Sequence, residues 1–244
     1  MAAADAFGRS AQTVVIKVGT SSLLLESATG VGGAGTIAIS RMAQVVETCV
    51  SLRRMGHNVV LVSSGAVGVG CVRLGIPRPD SIAEKQALAS IGQVHLMRYY
   101  DDFFSSLGAK CAQVLLTYSN LFDRTQYNNA QTTFRALLKM GVVPIVNEND
   151  TVATHELKIG DNDTLSAMVA AMCNANWLFL LTDVDALYTA NPATNPTATR
   201  IREVKDIQGL RMRLRVAGDV DHHKASRRKA SSKAGSKAGS MGGG

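Results

Sequence analysis

Four short apolar runs in this chain each break off into small, polar or charged residues, and no other feature restricts the fold as strongly. Thr13–Val18 carries Lys17 and opens into Gly19-Thr20-Ser21-Ser22; residues 58–62 open into Ser63-Ser64-Gly65-Ala66; residues 142–146 open into Asn147-Glu148-Asn149-Asp150; Trp177–Leu181 opens into Thr182-Asp183-Val184-Asp185. Thr13–Val18 is a short β-branched run, which is how a strand buried on both faces of a parallel sheet reads. A further strand is predicted over residues 110–116. Between the strands lie segments with helical spacing. Residues 36–55 place Ile39, Met42, Val45, Val46, Cys49 and Leu52 on one face and stop at Gly56. Helices are likewise predicted over 66–74, 82–107, 124–139 and 163–175. Strand and helix in alternation predict an α/β chain: a three-layer αβα sandwich with a central, mostly parallel sheet. The carboxyl ends of its strands then share one edge, where such sheets bind ligands.

Residues 142–167 concentrate the polar groups at that edge. They bring the acids Glu148, Asp150, Asp161 and Asp163 and the amides Asn147, Asn149 and Asn162 next to a core strand. Lys17 is either an edge residue reaching water along its aliphatic stem or an anion contact beside a donor-rich turn. Ser63-Ser64-Gly65-Ala66 either admits a ligand close to the backbone or is a plain strand-to-helix turn. Tyr99, Tyr100, Phe103 and Phe104, on the helix 82–107, are core or subunit interface.

Charge sorts the chain into parts. Residues 200–244 hold 12 of the 26 Lys and Arg and 4 of the 19 Asp and Glu, so the net +7 lies in the tail and the body is close to neutral. The expected organisation is a flexible leader over 1–12, one folded domain over 13–214, and a basic Gly/Ser/Lys-rich tail over 215–244 without fixed structure. A solvated charge run is the plain reading of that tail, and a nucleic-acid-binding role is the other. Cys49, Cys71, Cys111 and Cys173 form no Cys-x-x-Cys pair and read as reduced core residues of a cytoplasmic protein. The first residues lack the sustained apolar run of a secretory signal, and no stretch reaches the roughly 18–20 apolar residues of a membrane span.

Familiar nucleotide motifs are absent. No lysine follows a glycine, which removes the P-loop, and Gly65, Gly68, Gly70 and Gly75 do not space as Gly-x-Gly-x-x-Gly. The zinc motif His-Glu-x-x-His is missing, and His222-His223 read as a solvated pair. One strand-end lysine, donor-rich turns and several acids suit phosphoryl transfer, in which the protein positions reactants and neutralises charge. A carboxylate acceptor would need no general base. The acids would then orient lysines, hold magnesium or bind an acceptor's ammonium group.

Five segments carry a resemblance: IKVGTSSLL from Ile16, VVLVSSGAVGVG from Val59, VVPIVNENDTVAT from Val142, KIGDNDTLSA from Lys158 and LFLLTDVDALYT from Leu178. Over about residues 12–210 the chain resembles the amino acid kinase family, in its branch that phosphorylates the side-chain carboxylate of L-glutamate. Asn-Glu-Asn-Asp followed by Gly-Asp-Asn-Asp separates that branch from other members. The resemblance implies ATP and Mg2+, L-glutamyl 5-phosphate as product, and the first step of proline synthesis. It also implies a homo-oligomer, dimer or tetramer, with proline as a feedback inhibitor. Residue by residue it assigns Lys17 to the transferred phosphoryl group and Asp163 to orienting that lysine. Gly19, Thr20 and Ser21 approach the phosphates, while Thr182 and Asp183 sit at the nucleotide. Ser64, Gly65, Ala66, Asp150 and Asn162 bind glutamate, with Asp150 facing its ammonium and Asp161 supporting the pocket. No protein metal ligand is implied, magnesium being held chiefly by ATP, and residues 151–159 become a clamp over the substrate. Other acceptors in the same family, or a non-catalytic regulatory role on the same fold, are the alternatives.

One part of the family pattern is missing. A glycine-rich loop followed by a second phosphate-contacting lysine is implied, whereas the chain ends Gly239-Ser240-Met241-Gly242-Gly243-Gly244. The expectation is a truncated chain, with Lys224, Lys229, Lys233 or Lys237 substituting as the other option.

Overall fold

The computed structural model describes residues 11–25, 35–153 and 162–209. They form two compact units divided between Asp183 and Val184.

The first unit is built on five strands, β1 (Thr13–Val18), β4 (Asn58–Ser63), β5 (Cys111–Leu116), β6 (Val143–Glu148) and β7 (Trp177–Leu181), in the order β5-β6-β4-β1-β7. Every pairing in this sheet is parallel. A two-stranded antiparallel pair, β2 (Leu24–Leu25) with β3 (Thr36–Ile37), stands apart from it. The helices are α1 (Thr20–Leu23), α2 (Ile39–Arg54), α3 (Ala66–Leu74), α4 (Ile82–Ser106), α5 (Tyr118–Phe122), α6 (Arg124–Lys139) and α7 (Asn162–Met172).

The direction of each connection decides which face a helix covers. From β1 the chain steps outward to β4 and on to edge strand β5; from there it returns through β6 to β7 on the far side of β1. Crossovers of one hand place outward and returning helices on opposite faces of a parallel sheet. Accordingly α2 and α4 pack Met42, Val46, Cys49, Leu96, Tyr100 and Phe104 on Val14, Ile16, Val18, Val59 and Leu61. On the other face α6 and α7 pack Phe134, Leu165, Val169 and Met172 on Val15, Val60, Val62 and Val146.

Strand parity therefore assigns three buried polar strand residues each to a helix. Ser63 follows Val59 and Leu61 onto the α4 face, and Asn147 follows Val143 and Ile145 there; Lys17 follows Val15 onto the α7 face. The aromatic group of α4 is core: Tyr100 and Phe104 are fully buried, and Tyr99 and Phe103 pack against the same cluster.

Several predicted boundaries move. The helix expected from Thr36 begins at Ile39, because Thr36 and Ile37 pair with Leu25 and Leu24. The strand expected to stop at Val146 continues through Asn147 and Glu148, which pair with Leu115 and Leu116, so two residues of the polar cluster belong to the sheet. The two short helices α1 and α5 escaped the periodicity; α5 is held by a capping box between Thr117 and Asn120. Cys111 and Cys173 are only partly buried, while Cys49 and Cys71 lie in the core; all four are free thiols.

The second unit carries the antiparallel pair β8 (Leu187–Tyr188) and β9 (Arg200–Ile201). Asp185 receives the Tyr188 hydroxyl at 2.9 Å and forms an ion pair with Arg200. The two Asn-Pro turns close through their asparagines: Asn191 Oδ1 accepts from the Ala193 N–H and Asn195 Oδ1 from the Thr197 N–H. Residues 1–10 and 210–244, hence most of the leader and the whole basic tail with Lys224, Lys229, Lys233 and Lys237, lie outside the described residues. No helix of the described residues is long and apolar enough to cross a membrane.

Candidate active site

The carboxyl ends of β1, β4 and β6 open onto a cavity of about 170 Å³ lined by Thr20, Ser64, Gly65, Ala66, Val67, Arg78, Asn147, Glu148, Asp150 and Asn162. Its volume falls below the roughly 300–1,000 Å³ of drug-sized sites, in the range of a small polar metabolite.

The floor is a chain of amides and hydroxyls. The Asn162 amide nitrogen lies 2.9 Å from Ser64 Oγ, 2.9 Å from Asn147 Oδ1 and 3.2 Å from the Ser63 carbonyl. Asn147, only 3% exposed, donates its own amide N–H to Gln93 Oε1 of α4 at 2.8 Å. Below the floor, Ser63 Oγ and the Tyr100 hydroxyl are 2.8 Å apart. Ser63 and Asn147 thus each find a partner on α4, the helix that parity assigns to them. Buried polar groups need such partners, since an unpaired one costs about 1–3 kcal/mol.

The wall is the amino-terminal turn of α3. Gly65 takes a left-handed conformation (φ 102°) that turns β4 sharply into the helix, a backbone position that favours glycine. Having no side chain, it caps none of the first-turn N–H groups, and a helix amino terminus with open donors favours an anion. The turn is fixed against α4 by two further glycines. A Cβ on Gly92 would lie 1.8 Å from the Ala66 carbonyl oxygen, and one on Gly70 would lie 2.1 Å from that of Leu88. Here the α3 and α4 backbones touch directly.

Beside the cavity lies an ion pair. Lys17 Nζ is 2.6 Å from Asp163 Oδ1; the lysine is 6% exposed and the Asp163 side chain 44%. A buried ammonium group is costly without a counter-charge, and Asp163, in the first turn of α7, supplies it. Gly19 sits against this ammonium: a Cβ there would be 3.4 Å from Lys17 Nζ. Asn162 lines the cavity and Asp163, the next residue, holds the lysine, so α7 joins the two.

The structure gathers Ser64, Gly65, Ala66, Asp150 and Asn162, together with Thr20, in one cavity, and places Lys17, Gly19 and Asp163 next to it. Ser21 is on α1, where its carbonyl accepts from Arg41 at 3.1 Å. Thr182 and Asp183 are exposed at the end of β7, joined at 3.2 Å; Val18 pairs with Leu181, so Gly19 and Thr182 leave the sheet side by side. Asp161 lies outside the described residues, as do residues 154–159 of the expected clamp. Thr151, at the start of that segment, is 3.2 Å from Ser90 Oγ. Among the described residues no three His, Cys, Asp or Glu side chains cluster as a metal site.

Sequence reasoning did not name Arg78 or Gln93, and gave Tyr100 only a core or interface role. Arg78 stands in the loop between α3 and α4 as Pro77-Arg78-Pro79, and a cation between two prolines was the available signal. Gln93 and Tyr100 carry none, since their roles depend on which strand end α4 crosses.

Residues 12–225 match the model of the amino acid kinase family. Over 200 residues the chain is 57% identical to the Glutamate 5-kinase of Synechococcus elongatus, covering 82% of this chain and 53% of that relative. It is 54% identical over 209 residues to the Glutamate 5-kinase of Rippkaea orientalis, covering 85% and 55%. The chain therefore spans about half the length of these curated relatives. Among solved structures, the product complex of T. acidophilum isopentenyl phosphate kinase superposes with a TM-score of 0.53 at 17% identity, covering 83% of each chain. That likeness concerns the fold alone.

Proposed function

The chain belongs to the amino acid kinase family, and from that premise we propose that it transfers the γ-phosphoryl group of ATP to the side-chain carboxylate of L-glutamate, giving L-glutamyl 5-phosphate and ADP. One observation carries the proposal: an ion-paired Lys17 beside a polar cavity of amino acid size.

In the reaction a glutamate carboxylate oxygen forms a bond to the γ-phosphorus as the bridging bond to ADP breaks. The nucleophile is already an anion, so no side chain has to remove a proton. What the transfer requires is alignment and positive charge on the phosphoryl oxygens. Lys17 supplies that charge, and Asp163 fixes its ammonium at the end of β1. Asp150 accepts the α-ammonium of glutamate; Ser64, Asn162 and the N–H groups at Gly65 and Ala66 hold its oxygens, with Asp161 in support. Gly19, Thr20 and Ser21 offer donors to the phosphates, and Thr182 and Asp183 adjoin the nucleotide. Mg2+ bound with ATP would supply further positive charge at the triphosphate, while the chain's own part would be to hold those phosphates through Lys17, Gly19, Thr20 and Ser21.

The same resemblance supports a cytoplasmic enzyme of proline biosynthesis, inhibited by proline and assembled as a homo-oligomer. Ile91 and Val94, exposed on α4, are compatible with a subunit contact. The test is ATP turnover with L-glutamate, L-aspartate, N-acetyl-L-glutamate and isopentenyl phosphate as separate acceptors. Glutamate-dependent ADP release supports the proposal; turnover with another acceptor and none with glutamate overturns it.

A further inference from the structure

Arg78 lines the cavity on the side of α3 and has no part in the roles assigned so far. We infer that Arg78 binds the α-carboxylate of the amino acid substrate and so selects for an acceptor carrying two carboxylates; this rests on the function proposed above.

Charge complementarity is the first support. Among the described lining residues, Glu148 and Asp150 are acidic and Arg78 is the cation. An L-glutamate molecule brings one ammonium and two carboxylates. Its ammonium suits Asp150, and its side-chain carboxylate must approach Lys17 to meet the phosphoryl group. The neutral donors already assigned give the α-carboxylate no counter-charge, and without a cation it would enter a cavity that already holds two acids. A guanidinium matches a carboxylate with two parallel N–H donors.

The second support is the backbone. Arg78 lies between Pro77 and Pro79, so the ring of each proline fixes its own φ, and the residue before each proline, Ile76 and Arg78 itself, is confined to extended conformations. A long cationic side chain on an exposed loop ordinarily loses much freedom on binding. Here the loop is stiffened in advance, which leaves chiefly the side-chain rotamers to be ordered. The loop is anchored on its α3 side by Gly75, a left-handed helix end, and on its α4 side by Lys85, which donates to the Asp80 carbonyl at 3.0 Å.

The third support is the company Arg78 keeps in the cavity lining. Gly65 and Ala66, at the amino terminus of α3, line the same cavity, and no side chain caps that terminus, so the cation and the helix end can meet one anion.

The test compares binding of L-glutamate with L-isoglutamine, in which the α-carboxylate is a neutral amide of the same shape. Titration calorimetry of the full chain is the readout, so turnover is not required. Replacing Arg78 by Gln is expected to weaken L-glutamate roughly tenfold and leave L-isoglutamine unchanged, the effect being moderate because Arg78 is exposed. Arg78→Lys should restore part of the difference, and ATP binding should not move. Equal weakening of both ligands, or of neither, overturns the assignment of Arg78 while leaving the proposed reaction standing. A wild-type chain that binds neither ligand overturns the proposed reaction, and the Arg78 assignment with it.

Discussion

Lys17 and Asp163 come from opposite ends of the sheet's chain order and meet at 2.6 Å, the lysine nearly buried and the aspartate half exposed. Strand parity puts the lysine on the α7 face, and the first turn of α7 brings the carboxylate to it. The pair holds a positive charge in place before any phosphate arrives.

Replacing Lys17 by Ala should lower kcat by roughly 100-fold or more, the scale of losing one fixed electrostatic stabiliser, with a modest change in the KM for glutamate. Asp163→Asn should lower kcat less and destabilise the fold by about 1–3 kcal/mol, since the buried ammonium loses its counter-charge. Steady-state kinetics and denaturant melts separate the two effects. Near-normal turnover in Lys17→Ala would remove that residue from the chemistry.

Asp150→Asn tests the ammonium contact proposed at the other end of the substrate. Loss of one charge-assisted contact, about 1.5–3 kcal/mol, should raise the KM for glutamate by roughly 10- to 100-fold with kcat largely kept. An unchanged glutamate saturation curve with collapsed turnover would contradict an ammonium-binding role.

Gly92→Ala tests how α4 fixes the cavity wall. The new methyl would sit 1.8 Å from the Ala66 carbonyl oxygen, a backbone atom that cannot move without shifting α3. Overpacking of this kind costs about 1–3 kcal/mol. Thermal unfolding should show that loss, and glutamate affinity should fall with it because Gly65 and Ala66 line the cavity. A variant of wild-type stability would mean that the helices tolerate separation.

These assignments were unequally legible in the chain. Short apolar runs revealed all five main strands; β1, β4 and β6, inside the sheet, are buried almost throughout, whereas the edge strands β5 and β7 keep the apolar pattern with most residues only partly covered or exposed. The polar ends of the runs marked the edge where the cavity lies. Asn147 and Glu148 were misplaced beyond the strand, since polar side chains end an apolar pattern even where backbone pairing with β5 continues. The contacts of Gln93 with Asn147 and Tyr100 with Ser63 depend on the path of α4 across the sheet, which no local pattern encodes.

Alkaline pH should destabilise the protein through its thiols. Burial pushes Cys49 from 9.0 up to about 12. Its folded pKa lies above the unfolded one, so its contribution is intact below about pH 8.5 and is lost as pH rises toward 12. Denaturant midpoints should fall across that window, and Cys49→Ala should flatten the fall after allowing for its own cavity cost. A slope unchanged in that variant would place the alkaline loss elsewhere.

The most direct test of the phosphoryl acceptor traps the product. With ATP, magnesium, L-glutamate and hydroxylamine, an acyl phosphate on the side chain yields the γ-hydroxamate, while ADP accumulates in parallel. The predicted result is γ-glutamyl hydroxamate formed in step with ADP and abolished in Lys17→Ala. ADP release that proceeds without glutamate, or that yields no hydroxamate, would contradict it.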